Sequence, residues 1–175
     1  MNETRHLELA RKDPKAFRYF YDAYYKEVFL FIYRRTDDES LSADISQQVF
    51  LKAMQNLHQY KDRGLTMLSW LLRIALNELA QHFRDSKKMR VVCVEQTGIE
   101  EIWDADDAQL IEKREVVFNT LKSLPSDDLE MIEMRFFEKR SFKEIGEIKN
   151  ITENHAKIKL HRLLDKIRKK LPVEQ

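Results

Sequence analysis

A chain of 175 residues, 43% hydrophobic and 35% charged, can bury a core and still solvate its surface, as one medium domain or two small ones. Three Gly, three Pro and little strand-like alternation favour an all-α protein of long helices. One cysteine, Cys93, excludes an intrachain disulfide framework and a multi-cysteine zinc site, and no apolar run approaches the roughly 20 residues that span a bilayer.

The N-terminus is charged and has no signal-peptide core, so a cytosolic protein without membrane insertion is expected. The formal net charge of +1 hides a segregation. Between Val91 and Ile111 lie Glu95, Glu100, Glu101, Asp104, Asp106 and Asp107 with no Lys or Arg. Between His155 and Lys170 lie Lys157, Lys159, Arg162, Lys166, Arg168, Lys169 and Lys170 against Asp165 alone. Such local clusters, rather than the sum, set the field that a polyanion meets.

A first helical block runs from residue 7 to 90. Phe17, Phe20, Tyr21, Tyr24, Val28 and Ile32 recur at helical spacing as one apolar face, with Tyr25, Phe29 and Phe31 beside it. A second helix, from about Ser42 to His58, turns Ile45, Val49, Ala53 and Leu57 inward. A third, from about Met67 to Arg84, does the same with Leu68, Leu71, Ala75 and Leu79. A polar connector, Gln59 to Thr66, joins them.

Residues 91–110 lack a helical stripe and read as a flexible acidic linker, with Cys93 in it as an ordinary small residue. A second block spans 111–173. Ile111, Val117, Phe118 and Leu121 mark a helix that stops at Leu124-Pro125; Ser126 or Asp127 caps the next, which carries Leu129, Ile132 and Phe136.

The end of this block is the most explicit part of the chain. Ser141 and Glu144 form a capping box that opens a short helix with Ile145 and Ile148 inward. Asn150 stands where a tight turn needs a residue that tolerates the left-handed conformation, and Thr152 caps a longer, basic helix. Two helices joined in this way are a helix-turn-helix, which points to DNA.

Two surfaces in the first block exceed what packing requires. Asp44, Gln47, Leu51 and Met54, with Gln48 alongside, put polar and apolar groups together opposite the core of the second helix, a pattern suited to protein docking. Trp70, Arg73, Asn77 and Arg84 share a face of the third helix. They are either half-buried packing with ordinary surface arginines, or a wedge, an amide and cations fit to grip opened DNA.

The five histidines are scattered, His155 and His161 fall on different faces of one helix, and no Gly-rich phosphate loop or nucleophile elbow is present. No catalytic, metal or cofactor site is expected.

Taken in order, the blocks resemble a bacterial sigma factor of the extracytoplasmic function (ECF) group in the sigma-70 family. Ala43-Asp44-Ile45-Ser46-Gln47-Gln48-Val49-Phe50 and Trp70-Leu71-Leu72-Arg73-Ile74-Ala75-Leu76-Asn77, with Arg84 beyond, are similar to motifs of sigma region 2. Leu124-Pro125, Arg135, Glu144-Ile145-Gly146-Glu147 and Lys157 to Arg162 are similar to region 4. The resemblance implies two small helical domains, region 2 over 7–90 and region 4 over 111–173. It implies that Asp44, Gln47, Gln48 and Leu51 dock on the β′ clamp helices of core RNA polymerase, and that region 4 meets the β flap.

It further implies that Trp70, Arg73, Asn77, Arg63 and Arg84, with the loop Tyr60 to Thr66, recognise and melt the −10 promoter element. Asn154, Lys157, Ile158, His161 and Arg162 would read the −35 element in the major groove, and an anti-sigma factor would hold the protein inactive. The chain departs from the family pattern at Met67, Gln81, His155-Ala156 and Ile158, which bears on promoter sequence. The other functional class is a free-standing helix-turn-helix regulator whose first block dimerises or senses a signal.

Overall fold

The computed structural model describes residues 3–86 and 119–169, where all regular structure is helical, and the chain divides into two compact units. The acidic linker, Cys93, Ile111, Val117 and Phe118 lie outside the described residues, as does the end of the basic run at Lys170.

The first unit contains α1 (Glu3–Lys12), a 3-10 turn at Pro14–Phe17, α2 (Arg18–Thr36), α3 (Glu39–Gln55), a 3-10 turn at Leu57–Gln59 and α4 (Met67–Ser86). α2, α3 and α4 pack against one another around Phe20, Val28, Ile32, Val49, Ala53, Leu71, Leu72 and Ala75. Each large apolar side chain withdrawn from water here contributes about 1.5–3 kcal/mol. The inward residues expected of α3 and α4 are all buried, Leu57 from the 3-10 turn that follows α3. α1, which periodicity alone did not define, seats Leu7 and Ala10.

Three features of this unit differ from the sequence expectation. α3 begins three residues before Ser42, because Asp38 is its cap and accepts from Leu41 N–H at 2.9 Å. Ser42 and Ser46 are then wholly buried: the Ser42 hydroxyl meets Thr36 Oγ1 at 2.8 Å, and Ser46 bonds back to the Ser42 carbonyl at 2.7 Å. On α2, Tyr21 is 38% exposed while Phe31 is buried. The inward stripe is centred on Phe20, Val28, Phe31 and Ile32, which rotates Tyr21 toward the edge facing α3. Arg35 is also buried; it donates to Phe31 O at 2.7 Å and lies 3.6 Å over the Phe31 ring.

The described part of the second unit opens on helical residues 119–122 and continues with α5 (Ser126–Ile132), a π-helical turn (Glu133–Phe137), α6 (Phe142–Lys149) and α7 (Glu153–Arg168). α5 is capped by neither Ser126 nor Asp127: its N-cap is Pro125, whose carbonyl accepts from Asp128 and Leu129 N–H at 3.0 Å each. Asp127 is thereby left to pair elsewhere. The Glu138 N–H bond to Glu133 O, at 2.9 Å, widens the last turn. Phe136 is left half-buried, and Met131, Ile132 and Met134 form the core in its stead.

The helix-turn-helix forms as its sequence signals require. Ser141 Oγ accepts from Glu144 N–H at 3.2 Å, and Glu144 Oε2 accepts from Ser141 N–H at 2.8 Å. Asn150 adopts φ 55°, and Ile151 N–H closes on Gly146 O at 2.9 Å. Thr152 Oγ1 caps α7 through His155 N–H at 3.1 Å.

At Gly146 the entry to α7 crosses so closely that a Cβ would meet Ile151 O at 2.9 Å and Glu153 N at 3.2 Å. Both obstacles are backbone and cannot swing away. Gly146→Ala is therefore expected to destabilise the second unit by about 1–3 kcal/mol, read as a lower denaturation midpoint.

Candidate nucleic-acid and docking interfaces

On α3, Asp44, Gln47, Gln48 and Leu51 are all exposed, opposite Ile45, Val49 and Ala53. Leu51 and Met54 are 43% and 38% exposed, so the face has an apolar centre beside its polar groups. Next to it a groove of about 520 Å³ opens between the start of α2 and α3, lined by Phe17, Tyr21, Gln47, Phe50, Leu51 and Met54 among others. Tyr21 forms its wall, edge-on to Phe50 with ring centroids 4.9 Å apart. Behind this wall, burial, and then the neighbouring Tyr21, push the Tyr25 phenol above its ordinary value. A mixed face that adjoins an apolar groove suits a protein partner.

On α4, Trp70 and Arg73 are half-buried and Asn77 and Arg84 exposed. The Trp70 ring lies 5.2 Å from that of Tyr60, which is 7% exposed and anchors the start of the loop. Trp70 is thus packed on one side while its helix face remains open, which combines the two readings left by the sequence. Arg63 is on the exposed part of the loop, where Gly64 takes φ 69° and its N–H bonds to Asp62 Oδ1 at 2.8 Å. From Trp70 to Arg84 the helix rises about 21 Å, roughly six steps of a nucleic-acid strand.

On α7, Asn154, Lys157, Ile158, His161 and Arg162 are all exposed on one face, backed by Ala156, Leu160, Leu163 and Ile167 in the core. Ile158 is 41% exposed, an apolar contact set among cations. Not every lysine in the run belongs to this face. Lys159 is ion-paired to Asp127 of α5, and Asp127 also pairs with Lys149 at 2.5 Å. Glu130 completes the cluster, 2.5 Å from Lys149.

Burial alone would favour neutral Asp127, but its bonds to Lys149 and Lys159 outweigh that and hold the carboxyl below its ordinary value. For Lys149 burial likewise opposes the charge, and Glu130 and Asp127 reverse the balance and raise its pKa. Arg135 has an internal task as well: it donates to Arg140 O at 2.9 Å and lies 4.7 Å over the Phe142 ring, at the entry to α6.

The candidate sets of α3 and α7 each share one helix face, as do Trp70, Arg73, Asn77 and Arg84 on α4, whereas Arg63 stands apart on the loop before it. Sequence reasoning missed the groove wall of Tyr21 and Phe50 and the carboxylates of α5 that occupy Lys149 and Lys159. A clue to the latter existed in Asp127 and Glu130, two acids three residues apart on one helix. Among the described residues no group of three His, Cys, Asp or Glu side chains could hold a metal ion, and no helix is long and apolar enough to cross a membrane.

Comparison with known proteins accounts for this pairing of units. The family model for sigma-70 region 2 matches residues 20–89 and that for sigma-70 region 4 matches 120–169, together well over half of the chain. The ECF RNA polymerase sigma factor SigW of Bacillus subtilis (strain 168) is 25% identical over 182 residues, covering 98% of this chain and 97% of that protein. SigM of the same organism, another ECF RNA polymerase sigma factor, is 25% identical over 149 residues, 85% of this chain and 90% of its own. The ECF RNA polymerase sigma factor BldN of Streptomyces coelicolor is 23% identical over 178 residues, 98% and 67% of the two chains. The structure of CnrH in complex with the cytosolic domain of CnrY shares the fold at TM-score 0.56 and 17% identity, over 94% of this chain and 92% of that one. This chain belongs to the sigma-70 family, in its ECF group.

The Asp127 cluster yields a pH signature. A carboxyl whose folded pKa is depressed adds stability that is fully present above its unfolded value, near 4, and is lost as pH falls through the folded value. Asp127→Asn is expected to lower the stability at pH 7 by no more than about 1 kcal/mol, since the carboxylate is half exposed and screened. The gap from wild type should close in acid thermal melts.

Proposed function

We propose that this chain is an ECF-type sigma factor that binds core RNA polymerase and directs promoter-specific initiation of transcription, a specificity subunit without a catalytic site of its own. The observation that carries this reading is the occurrence of region 2 and region 4 in order along one chain. A free-standing helix-turn-helix regulator would use α6 and α7 and give the first unit to dimerisation or sensing, which does not account for its match to sigma-70 region 2.

In this reading region 2, over residues 7–90, docks through Asp44, Gln47, Gln48 and Leu51 on the β′ clamp helices. The mixed chemistry of that face and its exposed Leu51 support the assignment. α4 and its loop handle the −10 element. Trp70, already packed on Tyr60, offers a ring for stacking; Arg73, Arg84 and Arg63 neutralise phosphates, and Asn77 hydrogen-bonds a base held out of the stack.

Region 4, over 111–173, lays α7 in the major groove of the −35 element and contacts the β flap. Lys157 and Arg162 take phosphates or guanine edges, Asn154 and His161 hydrogen-bond, and Ile158 meets thymine methyls. Residues 91–110 link the two regions. The work would take place in the cytoplasm, where core polymerase is. An anti-sigma factor is the expected regulator; CnrH, captured with the cytosolic domain of CnrY, supports a protein partner for this fold.

Each module makes few phosphate contacts, so tight promoter binding requires the holoenzyme. Run-off transcription with core polymerase and chromosomal DNA should therefore yield discrete start sites that depend on this chain, and their absence would remove the reading. Asp44→Arg should weaken core binding by about 2–5 kcal/mol in a fluorescence titration, as expected when a docking charge is reversed. Lys157→Ala should weaken holoenzyme binding evenly across sequences and reduce the salt slope by about 0.9, whereas Arg162→Ala should cost about 1–3 kcal/mol and relax discrimination at one −35 position.

A further inference from the structure

The loop of residues 60–66 is held at both ends from α1. At its start, Arg11 Nη2 donates to the Tyr60 carbonyl oxygen at 2.8 Å. At its end, Glu3 Oε2 accepts from Met67 N–H at 3.2 Å. Glu3 and Arg11 are two turns apart on α1, about 12 Å along its axis. Leu7 and Ala10, buried between them, fasten that helix to the unit.

The contact at Met67 answers a need of α4. Met67 is the first residue of that helix, so its N–H is one of the four that find no partner within it. α4 also has no acidic residue in its first turn, and a negative charge there is favourable. Glu3 supplies both the acceptor and the charge from another helix, 64 residues earlier in the chain. It is held in turn by the Tyr24 hydroxyl of α2, which donates to Glu3 Oε1.

Inside the loop the contacts are local. Asp62 accepts from Gly64 N–H at 2.8 Å, and the Tyr60 hydroxyl donates to the Leu65 carbonyl at 3.5 Å. These shape the turn, but its two ends are fixed by α1. Where the loop ends are set, the Tyr60 ring is set against Trp70. α1 precedes the segment matched by the region 2 model, which starts at residue 20.

We propose that α1 is a brace for the −10 loop, and that Arg11 and Glu3 are positioning residues which hold residues 60–66 and the Tyr60–Trp70 pair in the geometry that captures the opened −10 element. The inference rests on the reading of α4 and its loop as the −10 interface. A prearranged loop loses less conformational freedom on capturing a strand, and a site is only as accurate as the residues that support it.

The test uses holoenzyme built from the full chain and core polymerase, on a promoter mapped by run-off transcription and labelled with 2-aminopurine in its −10 element. Opening rate, core affinity and thermal midpoint are measured for each variant. Arg11→Ala, at an exposed position, is expected to slow opening about tenfold, the scale of one lost charge-assisted hydrogen bond, with core affinity unchanged. Glu3→Ala should act in the same direction. Arg11→Lys, which keeps a cationic donor, should recover much of the rate.

Wild-type opening in both Arg11→Ala and Glu3→Ala would overturn the brace. So would an equal loss of opening and core affinity, because α1 would then support the whole unit instead of the loop. Asn77→Ala separates the two levels. If it slows opening while the α1 variants do not, only the brace fails. If it too leaves opening unchanged, the −10 assignment of α4 falls and the brace with it.

Discussion

Burial of one apolar stripe along each of α3, α4 and α7 determines where the candidate functional side chains point, because a helix that turns one face inward must turn the opposite one outward. Val49 and Ala53 are completely buried, and Asp44, Gln47 and Leu51 face solvent as a consequence. Ala156 and Leu160 do the same for Lys157, Ile158 and His161 on α7. The proposed docking and reading faces therefore depend on hydrophobic contacts that lie behind them, in the core. A core substitution that rotates one of these helices would alter function without changing a single contacting residue.

Helix ends carry a second layer of control. Intrahelical bonds secure the middle of α4, but its first amide and the loop before it are fixed from outside, and α1 and α2 supply the groups. In the second unit the equivalent points are satisfied locally: Ser141 and Glu144 box the start of α6, Asn150 closes it and Thr152 opens α7. The first unit thus fixes the start of α4 through a long-range strap, the second its helix-turn-helix through a run of short-range caps and the close approach at Gly146.

Charge is allocated as carefully as shape. The basic run of α7 is not a uniform cationic stripe, since Lys159 is committed to Asp127 and its neighbours Lys157 and Arg162 are exposed. Lys149, nearly out of solvent, stays charged because Glu130 and Asp127 surround it. The pairing ties the start of α5 to both helices of the helix-turn-helix and withdraws Lys149 and Lys159 from the exposed positive charge of this unit.

The helix-turn-helix was legible almost residue by residue, since a capping box, a left-handed Asn and a Thr cap act within three or four residues. The stripes of α3 and α4 were legible for the same reason, as periodicity is local. The stripe of α2 was less so: with aromatic residues on nearly every side, composition could not say that Tyr21 would wall a groove and Phe31 fill the core. The cap of α5 misled because Ser126 and Asp127 both suit the role, and Pro125 takes it while Asp127 reaches Lys159, 32 residues away. By itself the sequence determined that the segments of α2 to α7 are helical, though not α1, and it determined where the helix-turn-helix lies and which faces are polar, all matters of spacing along one strand of chain. Tertiary structure alone decided that Glu3 meets Met67, that Arg11 holds Tyr60 and that Tyr21 faces Phe50. Those contacts depend on how helices far apart in sequence rotate and cross, and a change of one residue's turn, about 100°, would send each side chain elsewhere.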